Sequence, residues 1–177
     1  HRRIEQVAED EVDKEVWDKL TSNFWLPEKI PLSGDISQWK KMTKQEQDTL
    51  ARVFAGLTLL DTVQGTIGAT SMIPDSLTMH EEAVLSYVTF NEAVHAKSYS
   101  TIFSTLLTTP EINEAFDWSE ENKFLQYKAD KIVSFYNEND PVKKKIASVI
   151  LESFLFYSGF YYIFHLASRG LLINSAN

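Results

Sequence analysis

Three acidic residues stand where a helical pattern would otherwise carry apolar side chains, and this conflict constrains the fold more than any other feature of the chain. Glu152 lies in Val149-Ile-Leu-Glu152-Ser-Phe-Leu-Phe156, inside the most apolar stretch, Ile146 to Ala167. Asp61 has Leu57, Leu60 and Val63 as its neighbours on a helix. Glu92 opens the run Glu92-Ala-Val-His95-Ala-Lys-Ser-Tyr99 within a long helical pattern. An unpaired carboxylate in such surroundings costs roughly several kcal/mol or takes up a proton. Cations held between acids from different helices remove that cost and use the charge. The chain therefore needs a packing in which separate helices bring their acids together.

The helices themselves can be read from caps and breaks. Glycine and proline are scarce, at 6 and 5 of 177 residues, and long stretches repeat with a helical period, so the expected class is all-α. A first, polar helix is expected over residues 8–21. Phe24 to Asp35, with Pro27, Pro31 and Gly34, is extended or turning. The N-terminal irregular segment as a whole covers about residues 22–37. Thr43-Lys-Gln-Glu46 is a capping box that opens a helix to about Thr70, and Ile73-Pro74-Asp75 breaks it. Thr78-Met-His-Glu81 opens the helix that bears Glu92, His95 and Tyr99 and ends near Leu107. Thr109-Pro110 starts a short helix, and Asp117-Trp-Ser-Glu120 is expected to cap another running to about Tyr136. Asp140-Pro141 pairs a good N-cap with proline at the first helical position, ahead of the helix that carries Glu152. The reading is one helical domain over residues 1–177.

Glu92, His95 and Tyr99 fall within roughly 60° of one another on one helix face. A carboxylate and an imidazole one turn apart can grip the same metal ion, and the phenol one turn on stands next to it. Dimetal helix bundles use two single carboxylates and two Glu-x-x-His motifs. Here the order is acid (Asp61), Glu-x-x-His (Glu92, His95), acid (Glu152). The second Glu-x-x-His is expected on a helix beginning after Asn174, so the natural protein is expected to be longer. Oxygen-rich ligands with one nitrogen and no sulfur suit manganese or iron, and carboxylates that can bridge suit a pair of ions better than one zinc.

Other features narrow the function. There is no cysteine, which excludes disulfides and thiolate metal sites within the chain. A net charge of −8 without a basic stripe argues against nucleic acid. Lys143-Lys144-Lys145 is read as a solvated helix end. Ile146 to Ala167 is long enough to span a bilayer, but Glu152 and His165 interrupt it, and it is read as a buried bundle helix. No membrane association and a cytoplasmic location are expected. His80 is placed in an exposed turn, His165 outside the ligand set, and Tyr87, Tyr136, Tyr157, Tyr161 and Tyr162 in packing roles.

At these residues the chain resembles the radical-generating small subunit of class Ib ribonucleotide reductase. The likeness runs through Phe24-Trp25-Leu-Pro27-Glu28, Gly56 to Gly65, His80-Glu-Glu-Ala-Val84, Glu92 to Ser100, Trp118-Ser-Glu-Glu121 and Leu151 to Phe160. It implies a ferritin-like bundle with a dinuclear manganese or iron centre held by Asp61, Glu92, His95 and Glu152. It also implies a stable radical on Tyr99 and an exit route for that radical through Trp25. The implied partners are a second copy in a homodimer, a large catalytic subunit that reduces ribonucleotides, and a flavodoxin-like activator that supplies the oxidant for manganese. The family's second Glu-x-x-His, the acid just before it and the C-terminal relay tail have no counterpart before Asn177. Two other readings stay open on the residues alone. A ferritin-like dimetal oxidase or iron store needs the same ligands without Trp25 or a radical, and a metal-free helical interaction module needs no buried acids.

Overall fold

A computed structural model describes residues 10–177, and all regular structure among them is helical. Helix α1 covers Glu11–Ser22, with the Asp10 carboxylate accepting from the Val12 and Asp13 amides at 2.8 and 3.3 Å. The expected start at residue 8 lies outside the described residues. Two 3₁₀ turns, Pro27–Lys29 and Leu32–Asp35, then lead into the short α2, Ile36–Trp39.

Helix α3, Lys44–Val63, begins at the expected capping box: Thr43 Oγ1 accepts from the Glu46 amide at 3.2 Å and the Thr43 amide donates to Glu46 Oε2 at 2.9 Å. It continues through a π-helical segment, Gln64–Gly68, into α4, Ala69–Met72, before the break at Ile73–Asp75. Helix α5, Met79–Leu106, is capped by Thr78, whose hydroxyl accepts from the Glu81 amide at 2.9 Å. Helices α6, Thr109–Glu121, and α7, Lys123–Tyr136, follow.

The α6–α7 boundary corrects the sequence reading. Asp117 to Glu120 lies in the closing turns of α6, not at the start of a helix. The working boxes are Thr108 with Glu111 at the start of α6 and Asn122 at the start of α7, where Asn122 Oδ1 accepts from the Leu125 amide at 3.0 Å. Helix α8, Pro141–Ile150, has Asp140 as its N-cap as expected, passes through a second π-helical segment, Leu151–Leu155, and becomes α9, Phe156–Ser168. A last turn, α10, covers Ile173–Ala176.

Helix α3 is the central element and packs against α5, α6, α7 and α9. Its Leu50, Phe54, Leu57 and Leu60 meet Ile102 and Phe103 of α5, Ile132 of α7, and Ile163 and Leu166 of α9 in one core. The helix from Pro141 to Ser168 is long and apolar enough to cross a membrane by length and composition. The expectation of a buried bundle helix holds on one face only. Ala147, Leu151, Phe156, Ile163 and Leu166 are covered, whereas Val149, Phe154, Tyr157, Tyr161 and Phe164 lie open. The stripe facing α3 uses up only half of a helix that is apolar on both sides.

The basic run ahead of it does more than a solvated end would. Lys143 pairs with Glu138 at 2.6 Å, Lys144 with Asp75 at 2.9 Å, and Lys145 with Glu81, which ties α8 to the turn after α7, to the break after α4 and to the start of α5.

Asp35 holds the far end of the chain. It is 0% exposed and accepts from the Ser175 amide and hydroxyl at 2.7 Å each, and from the Asn174 amide and side chain at 3.2 and 3.0 Å. It thus caps α10 from 139 residues away. The preceding Leu172 sits at φ 53°, a left-handed conformation that disfavours a side chain, and is held there by complete burial. Asp35→Ala should orphan these donors and lower stability by about 2–4 kcal/mol, read as a fall in Tm of roughly 4–16 °C by calorimetry. A Tm equal to that of the wild type would show that the carboxylate contributes nothing net.

Candidate metal centre

The site forms where α3, α5 and the π-helical segment of the last helix face one another. Asp61 comes from the final turn of α3, and Glu92 and His95 come from the middle of α5. One ligand atom from each of the three lies within 4.8 Å of the others. Asp61 is 3% exposed and Glu92 5%, while His95 is half-buried. Close approach of α3 and α5 depends on Gly65, since a Cβ there would stand 2.7 Å from Glu92 Cβ.

His95 is oriented on both ring nitrogens. Nδ1 lies 3.1 Å from Glu92 Oε2 and 3.9 Å from Asp61 Oδ1, and Nε2 lies within hydrogen-bond reach of Asn91 Nδ2 at 3.1 Å. Nδ1 is therefore the nitrogen aimed at the acids. Asp61 Oδ2 is buried with no hydrogen-bond partner. A buried carboxylate oxygen without a donor fits a cation, because a metal ion would supply the missing positive partner. The donor set of carboxylates and one imidazole fits manganese or iron.

Burial, then the neighbouring Glu92 carboxylate, push Asp61 well above the usual carboxylate range. Glu152 stands beside the trio rather than within its 4.8 Å set, and its residue surface is open to solvent. Its carboxyl still senses the site. Desolvation and the Glu92 charge raise it to about 7, against His95 and the Gln64 side chain, which lower it.

Tyr99 lies one turn beyond His95 on α5, and burial first, then Asp61 and Glu92, drive its phenol far above the ordinary tyrosine value. Its ring packs on Phe54 with centroids 5.5 Å apart. Trp25 stacks on His95 at 6.2 Å and 27°. Its segment is fastened by buried Pro27 and by a Glu28–Lys97 ion pair to α5. A cavity of about 260 Å³ borders Trp25, His95 and Tyr99.

The tyrosines and histidines set aside in the sequence separate here. His165 is exposed and stacks on Tyr161 at 6.2 Å, away from the acids. Tyr87 packs edge-on against Trp17. His80 departs from expectation: it is half-buried, and its Nδ1 is enclosed without a hydrogen-bond partner among the described residues. Tyr136 also does more than pack, since its hydroxyl donates to buried Gln64. The clue to Gln64 was its place three residues after Asp61, a polar side chain on the same apolar helix.

The sequence profile of the ribonucleotide reductase small chain matches residues 6–177. The chain belongs to this family. The ribonucleoside-diphosphate reductase subunit beta nrdF2 of Mycobacterium tuberculosis (strain CDC 1551 / Oshkosh) is 59% identical over 169 residues, covering 96% of this chain and 52% of that protein. The ribonucleoside-diphosphate reductase 2 subunit beta of Escherichia coli (strain K12) is 61% identical over 168 residues, covering 95% and 53%. The crystal structure of dimanganese(II)-NrdF from Streptococcus sanguinis superposes with a TM-score of 0.95 at 47% identity, covering 99% of this chain and 62% of that one. The chain thus spans about half the length of the curated small-chain relatives it matches. As in the rest of this ferritin-like small-chain family, the fold is a helix bundle.

The titrations give a prediction. Asp61 and Glu152 have folded-state pKa values raised above their ordinary values, so the folded protein holds more protons than the unfolded one in this range. Metal-free stability should therefore rise as pH falls from about 9, where folded Asp61 begins to take up its proton, through about 7, where folded Glu152 does, and level off near the ordinary carboxylate range. Manganese(II) competes with those protons. Calorimetry should find a large rise in Tm on adding manganese at pH 8 and little at pH 5. An equal rise at both values would remove the acid cluster as its source.

Proposed function

We propose that the chain is the radical-generating part of a ribonucleoside-diphosphate reductase small subunit, working through a dinuclear manganese or iron centre. The observation that carries this reading is the cluster of Asp61, Glu92 and His95, with the Tyr99 phenol one turn along α5 packed on Phe54 and the Trp25 indole stacked on His95. In this reading Asp61, Glu92, His95 and Glu152 hold the ions. When bound and oxidised by oxygen or by the activator's oxidant, the pair would supply a one-electron oxidant. Tyr99 would be the group that it oxidises, with the phenolic proton passing toward the neighbouring Asp61 carboxyl. Apolar packing against Phe54 keeps water and reductants from the ring that results. Trp25, stacked on a metal-ligating histidine, passes the oxidising equivalent outward. A large catalytic subunit receives it and reduces ribonucleotides to deoxyribonucleotides.

Assembly follows the same reading: a homodimer, paired with the large subunit in the cytoplasm, and a flavodoxin-like activator where manganese is used. The dimanganese relative from Streptococcus sanguinis supports a two-metal centre of this kind. Metal analysis together with low-temperature electron paramagnetic resonance (EPR) of the loaded, oxidised protein tests the reading. Two ions per chain and a tyrosyl signal are expected. Two ions with no radical would indicate a ferritin-like oxidase, and absence of metal would sink both.

A further inference from the structure

We propose that Gln64, oriented by Tyr136, is the positioning residue that holds the Glu152 carboxylate toward the metal pair. The inference rests on the dimetal reading above and concerns groups which that reading leaves unused.

Gln64 is 1% exposed, and its amide is engaged on both sides. Its Oε1 accepts from the Tyr136 hydroxyl, and its Nε2 donates to Ser148 Oγ at 2.8 Å. Ser148 and Glu152 are four residues apart and share a helix face, as do Asp61 and Gln64, three apart. The amide therefore sits one turn from each of two proposed ligands that come from different helices. Its Nε2 carries a second proton beyond the one given to Ser148, on the side of the amide that faces the helix bearing Glu152. An amide can present either end, and Tyr136 fixes the choice. The Tyr136 hydroxyl donates to Oε1, which turns the oxygen toward α7 and the NH₂ group toward Ser148 and the helix of Glu152.

The backbone is shaped around this arrangement. Gln64 opens the π-helical segment of α3, and Glu152 lies in that of the last helix. Such segments are rare and concentrate at functional sites. Gly68 leaves room for the pair, since a Cβ there would lie 2.4 Å from Gln64 Oε1 and 2.7 Å from the Tyr136 ring. Glu152 needs such a holder more than its partners do. It reaches the site from the open side of the bundle, whereas Asp61 and Glu92 are enclosed. Groups that orient metal ligands typically change affinity by about 10- to 100-fold when removed.

The test is a manganese(II) titration of the intact protein, followed by EPR, for wild type, Gln64→Met, Tyr136→Phe and the double variant. Methionine keeps the length of the side chain and removes its donors and acceptor. Gln64→Met should bind manganese about tenfold or more weakly and alter the line shape of the bound ions, with metal-free Tm changed by only a few degrees. Tyr136→Phe should shift both readouts in the same direction by less. It should add almost nothing in the Gln64→Met background, because its effect passes through the amide. Wild-type affinity and line shape in a folded Gln64→Met protein would overturn the proposal. So would additive losses that merely track stability. If Gln64→Met fails to fold, Tyr136→Phe decides alone, and an unchanged line shape and affinity there would overturn it. A wild-type protein that binds no manganese or iron would overturn the dimetal reading itself, an outcome distinct from variants that bind as the wild type does.

Discussion

Tyr99→Phe is expected to abolish the tyrosyl EPR signal and reductase activity while leaving two metal ions bound. Phenylalanine has nearly the same shape, so packing against Phe54 survives. Only the O–H facing Asp61 is lost. That hydroxyl is largely removed from water, so stability should change by no more than about 1–2 kcal/mol in either direction. The contrast between intact metal content and missing radical is what gives the variant its meaning. A full-strength tyrosyl signal in Tyr99→Phe would move the radical elsewhere. Tyr136 is then the first alternative, since it is buried and its phenol feels the Glu152 and Glu92 carboxylates.

Trp25→Phe should leave the Tyr99 radical able to form and yet remove turnover with the large subunit by orders of magnitude. The indole is stacked on His95 and half-buried at the site's outer side. A phenyl ring can take its place in the packing but is far harder to oxidise. The competing role is that of a clamp holding the segment from Phe24 to Glu28 on α5. That segment has other fastenings in the Phe24–Phe90 stack at 6.0 Å, buried Pro27 and the Glu28–Lys97 pair. A clamp variant would lose stability and metal and keep its activity per intact site. Normal turnover per radical in Trp25→Phe would sink the conduit role.

Local signals carried much of this architecture. Thr43 with Glu46, and Asp140 ahead of Pro141, start helices where side-chain chemistry requires. The misplaced boundary at Asp117 has an instructive cause. Asp117-Trp-Ser-Glu120 satisfies the same pattern as Thr108-Thr-Pro-Glu111, and local chemistry does not rank them. The extended backbone at Asn122, φ −74° and ψ 102°, decides where one helix ends and the next begins. The clustering of Asp61, Glu92 and His95 was legible because helices that spend apolar positions on acids need a compensating partner. The positions of Gln64 and Tyr136 were not, since their contact joins residues 72 apart and depends on a π-helical turn that a regular helical period does not encode. Asp35 was hidden for the same reason, because its donors lie at the other end of the chain. The open face of the last helix reflects a helix apolar on two sides, and sequence periodicity says nothing about how many neighbours are present to cover it.

Anomalous diffraction at the manganese edge, from crystals of the manganese-loaded protein, tests the central claim most directly. Two peaks about 3.5–4 Å apart are expected, ligated by Asp61, Glu92, His95 through Nδ1, and Glu152. No peak at this cluster, or a single ion bound without Asp61 and Glu92, would contradict it.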